Sequence, residues 1–133
     1  MGKLGMILFS GTTDRLMAAG ILAQAAAAMD NEVKVFVTFW AVPSFTKGEK
    51  KMSFPSDVQS MVPFLAQRMK DLKMASWYDM LKEAKSMGAK IYLCSLASEL
   101  MNVKKEDVDP IVDDIVGAAT FIQETEGWQV LFI

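Results

Sequence analysis

Cys94 is the one thiol in the chain, and it stands in the stretch KIYLCSLASELMNV, residues 90–103. A branched-apolar run, Ile91-Tyr92-Leu93, delivers it to a point where the pattern changes to serine, alanine and glutamate. A cysteine at the carboxyl end of a strand, with a helix starting next, can face the free N–H groups of Leu96 and Ala97. Their partial positive charge favours a thiolate, the form in which cysteine acts as a nucleophile. Ser95 begins that helix, and Glu99, one turn on, opposes the effect if it faces the sulfur. Free cysteine is also among the most buried residue types and packs as a small hydrophobe. At this point both readings stand.

Histidine is absent, which narrows the chemistry further. It removes the Ser-His-Asp and Cys-His arrangements and the commonest general base near neutral pH. Histidine-based zinc sites go with it, and one cysteine supplies no thiolate cage. No cofactor or metal is implied. One cysteine forms no internal disulfide. With 14 basic and 16 acidic residues, the net charge is −2, so there is no basic surplus to neutralise phosphates and no sign of nucleic-acid binding.

Two further stretches can join the thiol. Ser10-Gly11-Thr12-Thr13 can cradle an anion at a helix N-terminus, but it has neither GxGxxG nor P-loop spacing. An ordinary turn with an N-cap explains it as well. Trp40, in VKVFVTFW, can form an apolar wall beside a site or belong to a core strand. A Met-rich stretch (Met52, Met61, Met69, Met74) reads as gap-filling packing or a subunit contact, and KGEKK, residues 47–51, as a solvated loop.

The elements that must position these residues follow from periodicity. Leu4 to Phe9 predicts a buried strand, and Thr12 or Thr13 then caps a helix running to about Met29. That helix is apolar nearly all round, with many alanines, so it can pack closely on a sheet. Val33 to Trp40 predicts a second strand. An irregular, Met-rich helical insertion spans about 43–75, with a helical stretch from about Asp57 to Leu72. Ser76 caps a helix that Gly88 ends. Lys90 to Leu93 is a strand, Ser95 to Met101 a short helix, Ile111 to Ile122 apolar-periodic, and Trp128 to Ile133 the last strand. Near-continuous apolar strands separated by helices predict an open, mostly parallel α/β sheet of four to five strands with helices on both faces, a Rossmann-like or flavodoxin-like three-layer arrangement in a single domain, 1–133. In such sheets ligands gather at the carboxyl ends of the strands, where Ser10 to Asp14, Thr38 to Trp40 and Cys94 to Ser98 converge. The opening run is broken too soon for a signal peptide, and no stretch has the length of a clean membrane span, so a cytoplasmic protein is expected.

Taken in order, SG-TTDR, VKVFVTFW, GAKIYLCSLASELMNV and the final LFI resemble the DsrE/DsrF-like family, in its peroxiredoxin-like branch of sulfur-carrier or sulfurtransferase proteins. The resemblance runs over nearly the whole chain. It implies that Cys94 carries sulfur as a persulfide or accepts a thiosulfonate group, that Ser95, Leu96 and Ala97 stabilise the thiolate, and that Ser10, Gly11, Thr12, Trp40 and Glu99 line the pocket. It also implies TusA-like or rhodanese-like donor and acceptor proteins and a homo- or hetero-oligomer. Where the family pattern is C-x-M-S-M-D-x-M-G, this chain has Leu96 and Ser98 for methionines, Glu99 for aspartate and Asn102 for glycine. The second cysteine of some relatives is absent, so no internal relay exists. Peroxide reduction is disfavoured, because Tyr92-Leu93 precede the thiol in place of an activating threonine motif and a sulfenic acid here needs an external resolving thiol. The rival expectation is a non-catalytic interaction or small-ligand module with an inert Cys94.

Overall fold

In the computed structural model, which describes residues 2–133, five strands form one parallel sheet in the order β4-β3-β2-β1-β5. They are β1 (Lys3–Leu8), β2 (Glu32–Val37), β3 (Lys90–Cys94), β4 (Asp114–Val116) and β5 (Gln129–Phe132). The helices are α1 (Thr13–Ala28), α2 (Val62–Asp71), α3 (Trp77–Ser86), α4 (Ser95–Leu100) and α5 (Ala118–Glu124). Among the described residues no helix is long and apolar enough to cross a membrane.

The period of two along each strand divides the core into two layers. Met6, Leu8, Val33, Val35, Val37, Ile91 and Leu93 are essentially inaccessible and lie on the side covered by α1 and α3. Those two helices pack on each other more extensively than any other pair of elements, because α1 presents Leu16, Ala19, Gly20 and Ala23. A Cβ on Gly20 would lie 3.0 Å from that of Met80, so the small residues set the close approach. On the other side Phe36 stacks on Phe121 of α5 at 5.0 Å. This layer is thinner: α5 has only seven residues, and Ile122, Val130 and Phe132 remain exposed.

Two sequence expectations change. The apolar-periodic residues 111–122 do not form one element: Asp114–Val116 pairs with Tyr92–Cys94 as a fifth strand, and Ala118–Glu124 is helical. Three residues are too short for a periodicity to register, and Asp113 fixes them from outside by accepting the Ile91 N–H at 2.7 Å. The second strand ends at Val37, not Trp40. Phe39 takes a left-handed backbone conformation, φ +48°, and Phe39–Phe45 turns as a 3-10 segment, so the aromatic pair leaves the sheet. In the insertion, 3-10 winding at Ser56–Met61 leads into α2. Pro63 sits in the first turn of α2, where its missing N–H removes no helical hydrogen bond.

The insertion is fastened by a half-buried cluster around the buried Asp109 that the sequence does not reveal. Asp109 accepts from Lys50 Nζ (2.8 Å), Tyr78 Oη (2.6 Å) and the Ile111 N–H (2.9 Å), and Lys50 also donates to the Thr46 carbonyl. A bridge between Thr46 and Val108 and the Asp109 N–H to Phe45 carbonyl bond (2.8 Å) lace the two loops together. Burial alone would raise the Asp109 carboxyl, but the Lys50, Tyr78 and Ile111 donors outweigh it and hold it below its ordinary value. Tyr78 is pushed up to about 12 by burial and then by its bond to Asp109. Tyr92 is likewise pushed up to about 12, by burial and by its 3.0 Å bond to Glu124. Both shifts hold the folded tyrosine neutral, so the stability they carry is complete below the unfolded value of 10.0 and is lost as pH rises through about 12. Unfolding titrations between pH 10 and 12 are expected to show a steep fall in midpoint that is shallower in Tyr78→Phe and Tyr92→Phe.

Candidate functional site

β3 ends at Cys94 because the alternating apolar pattern stops there and helix formers follow: Leu96, Ala97, Glu99 and Leu100. Cys94 keeps an extended backbone (φ −67°, ψ 123°) and is itself the N-cap of α4. Its Sγ accepts the Ala97 N–H at 3.5 Å, and Ser98 Oγ donates to the Cys94 carbonyl at 2.8 Å. The sulfur thus takes the place that a serine or aspartate oxygen usually holds at a helix start. Cys94 is 7% exposed, in contact with the core, which is deeper than the partly exposed thiol expected of a carrier.

The helical period sorts the residues around it. Cys94, Ala97 and Ser98 (i, i+3, i+4) share the buried face, whereas Ser95, Leu96, Glu99 and Leu100 are exposed. Glu99 therefore lies on the exposed face of α4 and not on the face that carries the sulfur. Leu96 and Leu100, each 65% exposed, make that surface apolar. Asn102 has φ +54°, and the helix closes with Val103 N–H to Ser98 carbonyl (2.8 Å) and Asn102 N–H to Glu99 carbonyl (3.1 Å). That is the Schellman stop, which wants glycine and accepts asparagine. The family glycine is thus replaced by the side chain that best tolerates the same backbone.

Register places the other candidates. Phe9, Thr38, Cys94 and Val116 lie at one level, since Leu8 and Leu93 both pair with Val37 and Cys94 pairs with Val116. Phe9 and Cys94 stand two strand spacings apart, about 10 Å, and Ser10 follows one residue further along. Between them is the turn of Phe39 and Trp40. Gly11 lies directly against it: a Cβ there would come within 2.3 Å of the Trp40 carbonyl oxygen. The 3-10 segment in turn touches β3 and α4. The turn of Phe39 and Trp40 thus links the loop after β1 to the elements that carry the thiol.

Within the loop, Ser10 Oγ and Thr12 Oγ1 are 3.1 Å apart. Thr12 occupies the N-cap position of α1 but makes no side-chain cap bond. Thr13 instead fixes the insertion, its N–H donating to the Ser53 carbonyl (2.6 Å) and its Oγ1 accepting the Ser53 N–H (2.8 Å). Trp40 is 61% exposed, so it is surface and not core.

Sequence reasoning missed an aromatic chain along the same edge. Phe132 packs on Phe9 (5.6 Å), Phe9 on Phe39 (5.2 Å) and Phe39 on Trp40 (5.6 Å). Phe132 reaches Phe9 because β5 adds beside β1, and Phe9 reaches Phe39 because β2 lies on the other side of β1. Gly117, the N-cap of α5, also adjoins the site: a Cβ there would sit 3.9 Å from Ser95 Oγ. The periodicity of 111–122 does not mark Gly117 as the break between β4 and α5, which is what brings it to the site.

The fold is an open parallel α/β sheet in which a solitary cysteine caps the helix that follows an inner strand. The particular family follows from the comparison with known proteins: a model of the DsrE/DsrF/DrsH-like family matches residues 1–76 and 51–132, and the chain belongs to that family. It is 29% identical to the uncharacterized protein YrkE of Bacillus subtilis (strain 168), covering 96% of this chain and 94% of that one. Two solved structures share its fold over their whole length. They are ychN of E. coli (TM-score 0.66, 16% identity) and MTH1491 of Methanobacterium thermoautotrophicum, a protein of unknown function (TM-score 0.62, 14% identity).

Proposed function

We propose that this protein, as one DsrE-like domain over residues 1–133, carries sulfane sulfur on Cys94 and passes it to a partner thiol. The observation that carries this reading is the position of Cys94 Sγ as the acceptor of the Ala97 N–H at the carboxyl end of β3, a contact suited to an anionic sulfur. In the first step the Cys94 thiolate attacks the outer sulfur of a persulfide or polysulfide donor. A bond forms between Sγ and that sulfur, the donor's S–S bond breaks, and the donor leaves as a thiolate. In the second step an acceptor thiolate attacks the carried sulfur and Cys94 leaves as thiolate. Each step is a two-electron displacement with no net oxidation, and neither needs histidine.

The surroundings support protein partners. Leu96, Leu100 and the Phe39–Trp40 turn surround the thiol with exposed apolar surface, the composition of an interface centre. TusA-like or rhodanese-like proteins are the donors and acceptors this reading favours, in a cytoplasmic setting where thiols stay reduced. The thin layer over α5, with Ile122, Val130 and Phe132 uncovered, favours a homo-oligomer. Because Cys94 is 7% exposed, loading requires the rim to move aside, and partner docking on the same apolar surface is the natural trigger.

Intact-mass measurement after incubation with polysulfide tests the loading step. One added sulfur atom is expected on the wild type and none on Cys94→Ser. The burial of Cys94 favours a second reading, an inert packed cysteine in an interaction module. It requires that a thiol reagent label Cys94 only after unfolding.

A further inference from the structure

On the α1–α3 side of the sheet a cleft of about 260 Å³ opens between the start of α1, residues 50–52, α2 and the start of α3. Its lining combines Met17, Met52 and Met69 with Trp77 and Tyr78, and its polar members are Thr13, Lys50, Lys51 and Ser76. Cys94 follows Tyr92 by two along β3 and so shares its face, the α5 side; the cleft is a separate place.

The cleft is built in advance. Residues 50–53 are fixed at both ends, by the Lys50–Asp109 ion pair (2.8 Å) and by the paired Thr13–Ser53 hydrogen bonds. Trp77 is buried and held against Phe45 at 5.4 Å. Most of the polar lining is engaged elsewhere: Thr13 with Ser53, Ser76 with the Asp79 N–H and Tyr78 with Asp109. The Lys50 ammonium is turned inward to Asp109, while Lys51, at the rim, makes no ion pair among the described residues. Rings and methionines together accept a flat apolar body, the sulfurs lying well against aromatic edges, and a free ammonium at the mouth accepts an anion. The volume is just below the usual range of small-molecule sites, roughly 300–1,000 Å³.

We propose that this cleft binds a small aromatic carboxylate, its ring among Met17, Met69 and Trp77 and its carboxylate at Lys51. The site is independent of the sulfur reading, and binding survives Cys94→Ser.

Indole-3-acetate and its uncharged counterpart indole-3-acetamide serve as probes, with the methionine methyl groups carbon-13 labelled for NMR. Saturable shifts are expected at Met17, Met52 and Met69 with indole-3-acetate, while the exposed Met29 and Met87 hold still. Lys51→Gln is expected to weaken indole-3-acetate about three- to fivefold and to leave the amide unchanged. Met69→Trp, a change on the peripheral α2, fills the cleft and is expected to abolish the shifts at Met17 and Met52. The proposal is overturned if millimolar indole-3-acetate moves none of the three methyls or moves all exposed methionines alike. It is equally overturned if the amide binds as tightly as the acid, or if Met69→Trp leaves the shifts in place.

Discussion

Asp109→Ala is expected to cost about 3 kcal/mol of folding stability and to lower the thermal midpoint by roughly 10 °C. The Asp109 side chain is 6% exposed and the Lys50 side chain 19%, and the carboxylate satisfies three donors at 2.6–2.9 Å. Its removal leaves the Ile111 N–H and the Tyr78 hydroxyl without an acceptor. Lys50 can turn partly to water, which is why the loss stays at the low end for a broken buried pair. Asp109→Asn keeps the shape and one acceptor, so a smaller loss is expected. The sign with pH follows from the lowered carboxyl. Its contribution is present above the ordinary value of 3.8 and disappears as pH falls through the folded value. Denaturant titrations should therefore show wild type and Asp109→Asn converging in acid and separating near neutrality. A Lys50→Met, Asp109→Ala double variant should lose less than the sum of the two, since neither charge is then left alone.

Gly11→Ala is expected to lose about 2–3 kcal/mol, although it adds a single methyl group. The position needs no special backbone angle; it needs room. The added carbon would meet the Trp40 carbonyl oxygen at 2.3 Å and its carbon at 3.1 Å. These are backbone atoms of a turn already strained by Phe39 at φ +48°, so no side chain can swing aside. Either the loop or the turn must shift, and Trp40 moves with it. A changed tryptophan emission should accompany the stability loss. Gly48→Ala is the control: a Cβ there meets nothing within 4 Å, so it adds only the strain of a left-handed alanine, about 1 kcal/mol.

The parallel sheet was legible because four of its strands are runs of branched and aromatic residues bounded by turn signals. Cys94 at a strand end was legible for the same reason: the change from KIYLC to SLASEL is a change of period. Ser76 and Gly88 also kept their expected places, capping α3 at 3.1 Å and closing it at φ +109°. What escaped depends on distant residues. β4 has three residues and exists through its pairing with Tyr92–Cys94. Trp40 looks like strand by propensity, yet the chain leaves the sheet at Thr38 and turns. Lys50, Tyr78 and Asp109 lie in three segments whose meeting no local pattern announces. Glu99 could be placed only once α4 had a phase.

The central claim, that folded Cys94 accepts and yields sulfur, is tested most directly by following one cycle by intact mass. The native protein is loaded with polysulfide, freed of excess donor, and then given a low-molecular-weight thiol. The native wild type is expected to gain one sulfur atom and to lose it to the thiol with return to the starting mass, with no change at any stage in Cys94→Ser. A native protein that stays at its starting mass, while the unfolded chain takes up sulfur readily, would contradict that claim.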